Sequence, residues 1–326
     1  MICRHLWSIK TKNMKVIVLQ DFGGTENLVY KDIPTPSIKD DEVLIQSKAL
    51  SINPVDIKTR SGKGMANRIK DLMPVVLGWD VSGIVVETGK SVTRFKVGDE
   101  VFGMVNFPGL GNAYAEYIAA PASHLALKPA NITHEAAAAA TLAALTAWQA
   151  IVTEAKVQPG QRVLIQAAAG GVGHFAVQIA KHFGAYVVGT SSAANKAFVL
   201  GLGADEHIDY HTQPLDAAGN DYDFVLDPIS GDNIERSFDV VKKGGIALSI
   251  VSAFADLVKE KAIAKGINGY FFMVSPNEKD IQSIADLLAK GIIKSHVSKT
   301  FPFEEMAAAH EALATGRTLG KIIVTI

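Results

Sequence analysis

Between an apolar run and an amphipathic one, "LIQAAAGGVGHFAVQIAK" (residues 164–181) sets three glycines within four positions. Ala168, Gly170 and Gly173 fit the A-x-G-x-x-G form of a dinucleotide fingerprint. Gly170 is expected to make the tight turn, and Gly171 leaves the backbone bare where a pyrophosphate must approach. Gly173 lets the following helix press on the preceding strand, and Val172 stands where that helix opens and offers its free N–H groups. A site for NAD carries Asp or Glu about 20 residues further on, to hold the ribose 2′-hydroxyl. Here that position falls in "GTSSAANK", residues 189–196, which holds no carboxylate. Ser191, Ser192 and Lys196 stand there instead, and Tyr210 follows the next strand-like run. These groups can bond a 2′-phosphate that a carboxylate would repel, so the pattern favours NADPH.

The texture of the chain indicates the elements that must hold this turn. From residue 162 strand and helix alternate: "RVLIQA", a helix near 172–183, "AYVVGT", a helix near 195–202, "EHIDY", "YDFVLD", a helix near 233–241 and "GGIALSI". That rhythm predicts a parallel sheet covered on both faces. Strand ends in such a sheet line the cofactor crevice, which brings in Asp227 after the fourth strand and Val251 and Ser252 after the fifth. Residues 15 to about 130 read instead as short strands ("KVIVLQ", "EVLIQSKALSI", "DVSGIVVETG", "AEYIAA") punctuated by Gly, Pro and Asp, and predict a twisted, barrel-like β unit. "THEAAAAATLAALTAWQAIVTEAK" reads as a helix capped by Thr133. "RSGKGMANRIKDLMP", residues 60–74, reads as a mobile loop over the substrate mouth. Two amphipathic helices and the final "KIIVTI" are expected to return and complete the β unit.

Bulk properties narrow the function classes. A chain of 326 residues is long for one core, so two domains are expected. Net charge is −1 with no basic block, which argues against a nucleic-acid partner. The longest apolar stretch, residues 136–151, is too short and too alanine-rich to span a membrane. One cysteine, Cys3, leaves no intrachain disulfide and suits a reducing, cytoplasmic setting. The first thirteen residues read as an extension ahead of Met14. No G-x-S-x-G elbow occurs, so covalent catalysis has no candidate.

Residues 77–101, "LGWDVSGIVVETGKSVTRFKVGDEV", resemble the segment of medium-chain dehydrogenases/reductases that reads G-H-E-x-x-G-x-V in the zinc alcohol dehydrogenases. Gly78, Gly83 and Val85 match, whereas Trp79 and Asp80 replace His and Glu. Asn53 stands where those enzymes carry a ligating Cys, and the four-cysteine lobe is absent. The nine histidines show no metal spacing, so no catalytic metal is expected. "NPVD", "GDEVFG", "AYAEY", "LTAWQA", "AAAGGVG", "DPISGD" and "GKIIVTI" extend the resemblance over residues 14–326, toward the zinc-free branch of quinone oxidoreductases, zeta-crystallin and alkenal/enone reductases. The resemblance implies an α/β fold: a GroES-like β-rich catalytic domain, residues 14–132 completed by 276–326, around a Rossmann doubly wound parallel-sheet domain, residues 133–275. It also implies NADPH in the cleft, a homodimer joined through the edge strand in "INGYFFMV" (residues 267–274), and Thr146 near the nicotinamide carboxamide.

Without a Lewis acid, acceptors already conjugated to a carbonyl are the easier ones. Hydride added to the β-carbon of an enone leaves charge on oxygen, where hydrogen-bond donors stabilise it, and a quinone behaves alike. "NPVDIKTRSG" supplies the candidate catalytic residues: Asn53 with an amide N–H, Lys58 with a cation, and Asp56 to fix the lysine or a cofactor hydroxyl. Bacterial quinone reductases of this kind often carry Tyr at the position of Lys58, whereas the plant enone reductases read N-P-V-D-x-K. The expected activity is therefore NADPH-dependent reduction of small enones, enals or quinones. Enoyl-thioester reduction and non-catalytic, crystallin-like NADPH binding stay open as alternatives.

Overall fold

The structure, a computed structural model, describes residues 13–229, 233–251 and 256–326. Six parallel strands form one sheet: Arg162–Ile165, Tyr186–Ser191, Glu206–Asp209, Tyr222–Asp227, Val241–Ser249 and Asn268–Phe271. Numbered along the chain, their spatial order is 3-2-1-4-5-6, the order of a doubly wound dinucleotide-binding sheet. Val163, Leu164, Ile165, Val187, Val188, Val225 and Leu226 are all fully buried, as strands covered on both faces require. The order reverses between the first and fourth strands, and the fingerprint follows the first strand at that point.

A seven-stranded, mainly antiparallel sheet carries the second half of the architecture. Its central strand, Glu42–Ile52, pairs with Asp80–Thr88 on one side and with the last strand of the chain, Lys321–Thr325, on the other. The two ends of the chain thus meet, with Ile322 opposite Ile52 and Thr325 opposite Ala49. A further three-stranded sheet, Leu28–Pro34, Asn13–Leu19 and Val75–Val76, closes over the same core. This is the GroES-like plus Rossmann α/β arrangement. Among the described residues no helix is long and apolar enough to cross a membrane.

Two local expectations are corrected. The alanine-rich helix is broken: His134–Ala139 and Leu142–Trp148 are separate helices, and Gln149–Glu154 forms a π-helical turn. Thr141 leaves helical geometry (φ −101°, ψ −103°), and the N–H of Leu142 goes to the Asp80 carboxylate at 3.0 Å instead of to the preceding turn. A tertiary acceptor has overridden local propensity. Residues 60–74 contain a short helix, Ala66–Ile69, because Ala66 and Ile69 find buried positions. Gly170 closes the fingerprint turn as expected, its N–H on the Ala167 carbonyl at 2.8 Å, and the left-handed residue of that turn is Ala167 (φ +46°). Alanine tolerates that conformation better than branched side chains do.

Gly173 behaves as expected. A Cβ there would stand 2.1 Å from the Ala167 carbonyl oxygen and 2.7 Å from the Ala168 Cα. Gly173→Ala should therefore cost more than about 2 kcal/mol of stability. Gly201, with open space around its position, should be neutral or gain up to about 1 kcal/mol as Ala. Urea titration of both variants checks the contrast, and equal stabilities would contradict this account of the turn.

Candidate active site

A cavity of about 420 Å³ opens between the two sheets. Gly170, Gly171, Val172 and Gly173 form one wall, and Asn53 and Lys58 another. Val251 and Thr146 also face it, among apolar neighbours that include Phe107 and Phe272. Ala168 lies buried behind the fingerprint wall, its N–H bound to the Thr190 carbonyl at 2.8 Å. Thr146 donates its hydroxyl to the Leu142 carbonyl at 2.7 Å, so that oxygen offers only lone pairs toward the cavity. A carboxamide NH₂ is the complementary partner.

The helix Pro54–Arg60 sets Asn53 and Lys58. Asn53 stands at its N-cap and Pro54 at its first position, where a missing N–H costs nothing. Asp56 turns back to accept the Asn53 N–H at 2.7 Å and is fully buried. Burial, with the charge of Asp80 nearby, raises its pKa to about 7. Asp56 thus caps the helix and faces away from the cavity, and it does not fix Lys58 as expected. Residues two apart on a helix point to different sides. The N-P-x-D spacing carried that signal, since an acid three residues after an N-cap reads as a capping group. Lys58 is half-buried at the cavity wall, with no ion-pair partner among the described residues. Burial and the neighbouring charge of Lys63 hold its pKa below the ordinary lysine value.

The groups chosen for a 2′-phosphate sit where the second and third strands end. Ser191 is buried with its hydroxyl 2.7 Å from His207 Nε2, Ser192 is half-buried, and Lys196 is exposed. Tyr210 is 59% exposed and lies against the His211 ring. Asp209, opposite Ser191 on the third strand, binds its carboxylate to the Thr212 hydroxyl and the His211 N–H. Asp227 is buried at the end of the fourth strand, where it accepts from the Ile229 N–H (2.7 Å) and Asn233 Nδ2 (3.0 Å). Burial raises its pKa to about 6, and it shapes the strand end while Pro228 after it reaches the cavity. Ser252 lies outside the described residues.

With this geometry in place, comparison with known proteins is direct. Residues 39–130 match the alcohol dehydrogenase GroES-like domain, and residues 202–324 match the zinc-binding dehydrogenase model. The chain is 35% identical over 323 residues to the chloroplastic NADPH-dependent alkenal/one oxidoreductase of Arabidopsis thaliana, covering 96% of this chain and 80% of that protein. The chain belongs to the medium-chain dehydrogenases/reductases, in the quinone and alkenal/one oxidoreductase branch. It is 33% identical to the 2-methylene-furan-3-one reductase of Solanum lycopersicum, covering 95% of this chain and 79% of that one. The quinone oxidoreductase from Coxiella burnetii superposes with a TM-score of 0.91 at 36% identity, over 97% of this chain and all of the other.

A family that includes zinc enzymes raises the question of whether these residues fit a metal, and they do not. Trp79 is buried and donates its indole N–H to the Gly109 carbonyl at 2.7 Å. The two Asp80 oxygens accept from the Leu142 N–H (3.0 Å) and Asn53 Nδ2 (2.8 Å). A second charged group, Lys321, places its ammonium 3.9 Å from Asp80 and donates to Asn53 Oδ1. A dication would meet that ammonium. Among the described residues no group of three or more His, Cys, Asp or Glu could hold a metal ion. Lys321 and His207 were not singled out in the sequence. The signal for Lys321 was present, as a lone cation opening the apolar terminal run "KIIVTI"; His207 left none, since its pairing with Ser191 crosses two strands.

His174, next to the fingerprint, is fully buried with Nδ1 2.9 Å from the Gly170 carbonyl. Burial lowers its pKa from 6.5 to about 4. A group whose folded pKa is depressed gives stability that is present above the unfolded pKa and lost as the pH falls toward the folded one. Between pH 7 and pH 5 this histidine should remove about 2 kcal/mol. The stability of His174→Gln should therefore fall by less than that of the parent over the same interval, by urea titration. Equal losses would place the acid sensitivity elsewhere.

Proposed function

We propose that this chain transfers hydride from NADPH to the activated C=C of small α,β-unsaturated carbonyls, and to quinones, without a metal. The observation that carries the reading is that Asn53 and Lys58 share one cavity with the fingerprint glycines. The bare backbone at Gly171 suits the pyrophosphate, and the Thr146 oxygen suits the carboxamide. When bound, the cofactor supplies hydride to the electron-poor carbon of the acceptor. The remaining task falls to the protein, which must stabilise the negative charge that develops on the acceptor oxygen. Lys58 lines the wall with no carboxylate partner among the described residues, so its N–H groups are available to that oxygen. Water delivers the α-proton afterwards. Ser191, Ser192, Lys196 and Tyr210 are assigned to the 2′-phosphate, with His207 holding the Ser191 hydroxyl.

The same reading places the domain limits near residues 132/133 and 275/276. It makes the strand Asn268–Phe271, at one edge of the six-stranded sheet, the joint of a homodimer, and it places the protein in the cytoplasm. The assay that tests the function is loss of NADPH absorbance on adding methyl vinyl ketone, a short alkenal or 1,2-naphthoquinone. No loss with any of them would favour non-catalytic NADPH binding.

Two variants test the assigned roles. Lys58→Met should lower kcat about a hundredfold while the Kd for NADPH moves less than about threefold. The lysine donates only when protonated, so kcat of the parent should decline on the alkaline side below the ordinary lysine value of 10.5, and the variant should lack that limb. Lys196→Ala should weaken NADPH about tenfold and leave NADH within about twofold. Fluorescence titration with both cofactors decides it, and equal weakening would remove Lys196 from the 2′-phosphate site.

A further inference from the structure

Asn53 and Lys321 line the cavity and Asp80 lies against them outside its lining; the three are 2%, 3% and 1% exposed. Lys321 Nζ donates to Asn53 Oδ1 and to the Ile52 carbonyl at 3.2 Å, and lies 3.9 Å from Asp80 Oδ2. Asn53 Nδ2 donates to the same Asp80 oxygen at 2.8 Å. The Lys321 stem also underlies the fingerprint, since a Cβ on Gly171 would stand 3.2 Å from Lys321 Cδ.

We propose that Lys321 and Asp80 are positioning residues that lock the Asn53 carboxamide in one orientation, leaving its second Nδ2–H to bind the acceptor oxygen. An ammonium can only donate and an ionised carboxylate can only accept. The oxygen of the amide must therefore face Lys321 and its nitrogen must face Asp80. A flip would set donor against donor and acceptor against acceptor among side chains that are almost fully buried. One Nδ2–H is committed to Asp80, and the other has no partner among the described residues, on a side chain that lines the cavity. The cation on Oδ1 also polarises the amide and makes that remaining N–H the stronger donor. In the zinc enzymes that the chain resembles, a ligating side chain stands at position 53. Here a buried lysine supplies the positive charge one bond further back, through the amide.

The inference rests on the acceptor oxygen being bound in this cavity, and the test separates the two claims. Lys321→Gln keeps an N–H for Asn53 Oδ1 but loses the charge, whereas Lys321→Met loses both. Each leaves Asp80 without its cation while its bonds from the Leu142 N–H and Asn53 Nδ2 remain, so a role limited to neutralising Asp80 would move them together. With methyl vinyl ketone, Lys321→Met should lose about a hundredfold in kcat and Lys321→Gln no more than about tenfold. The double variant Asp80→Asn/Lys321→Met removes both buried charges and should melt above Lys321→Met. Its kcat should stay about a hundredfold down, because asparagine at position 80 accepts either face of the amide. The NADPH Kd should stay within about threefold throughout. Equal kcat for the Gln and Met variants, or a double variant with parental kcat, would overturn the proposal. A parent inert on every acceptor would instead overturn the activity assigned above.

Discussion

A buried ammonium with buried partners ties this molecule together. Lys321 opens the last strand, Asn53 follows the central strand of the same sheet, and Asp80 opens the strand on its other side. The antiparallel pairing of Ile322 with Ile52 brings the three side chains to one level. Once there, they depend on each other, since isolating any one charge from water without its partner is costly. Asp80 extends the constraint by binding the Leu142 N–H, which starts a new helix and holds Thr146 at the cavity. Gly320 continues it in the other direction, its N–H bound to the Ala169 carbonyl of the fingerprint at 2.9 Å. The cavity is the gap left where these tied elements meet.

Under the proposed activity, a fold shared with zinc enzymes would polarise the acceptor through protein groups. The fixed charge is kept behind the amide, out of contact with solvent, and its direction is transmitted by hydrogen bonds whose sense cannot reverse. Preorganised donors of this type lower the barrier because they need not reorient as charge develops. Lys58 is half-buried with no ion-pair partner among the described residues, and the proposed role for it is a second donor to the acceptor oxygen.

Much of the fold could be read along the chain. The βα alternation from residue 162 and the glycine spacing at 170–173 are local patterns, and the six-stranded sheet with its fingerprint turn follows from them. The return of "KIIVTI" to the β unit was legible from its apolar, strand-like composition. What misled was also local. "THEAAAAATLAALTAW" contains nothing that breaks a helix, and only the Asp80 oxygen, more than sixty residues earlier, does so. Asp56 sits beside Lys58 in sequence, yet the helix turns it away and leaves it as a cap.

The sequence by itself determined which chemistries were available: a fingerprint turn, hydroxyls and a lysine in place of a carboxylate, and no paired imidazoles or thiolates for a metal. These are properties of residue type and short-range spacing, and they survive whatever the chain does at long range. Tertiary structure alone decided which polar groups face the cavity and which face each other. The joining of positions 53, 80 and 321 depends on strand register, and a shift by one residue would send Lys321 to the opposite face of its sheet. Its partners are hundreds of residues away, and no short window of the chain contains them.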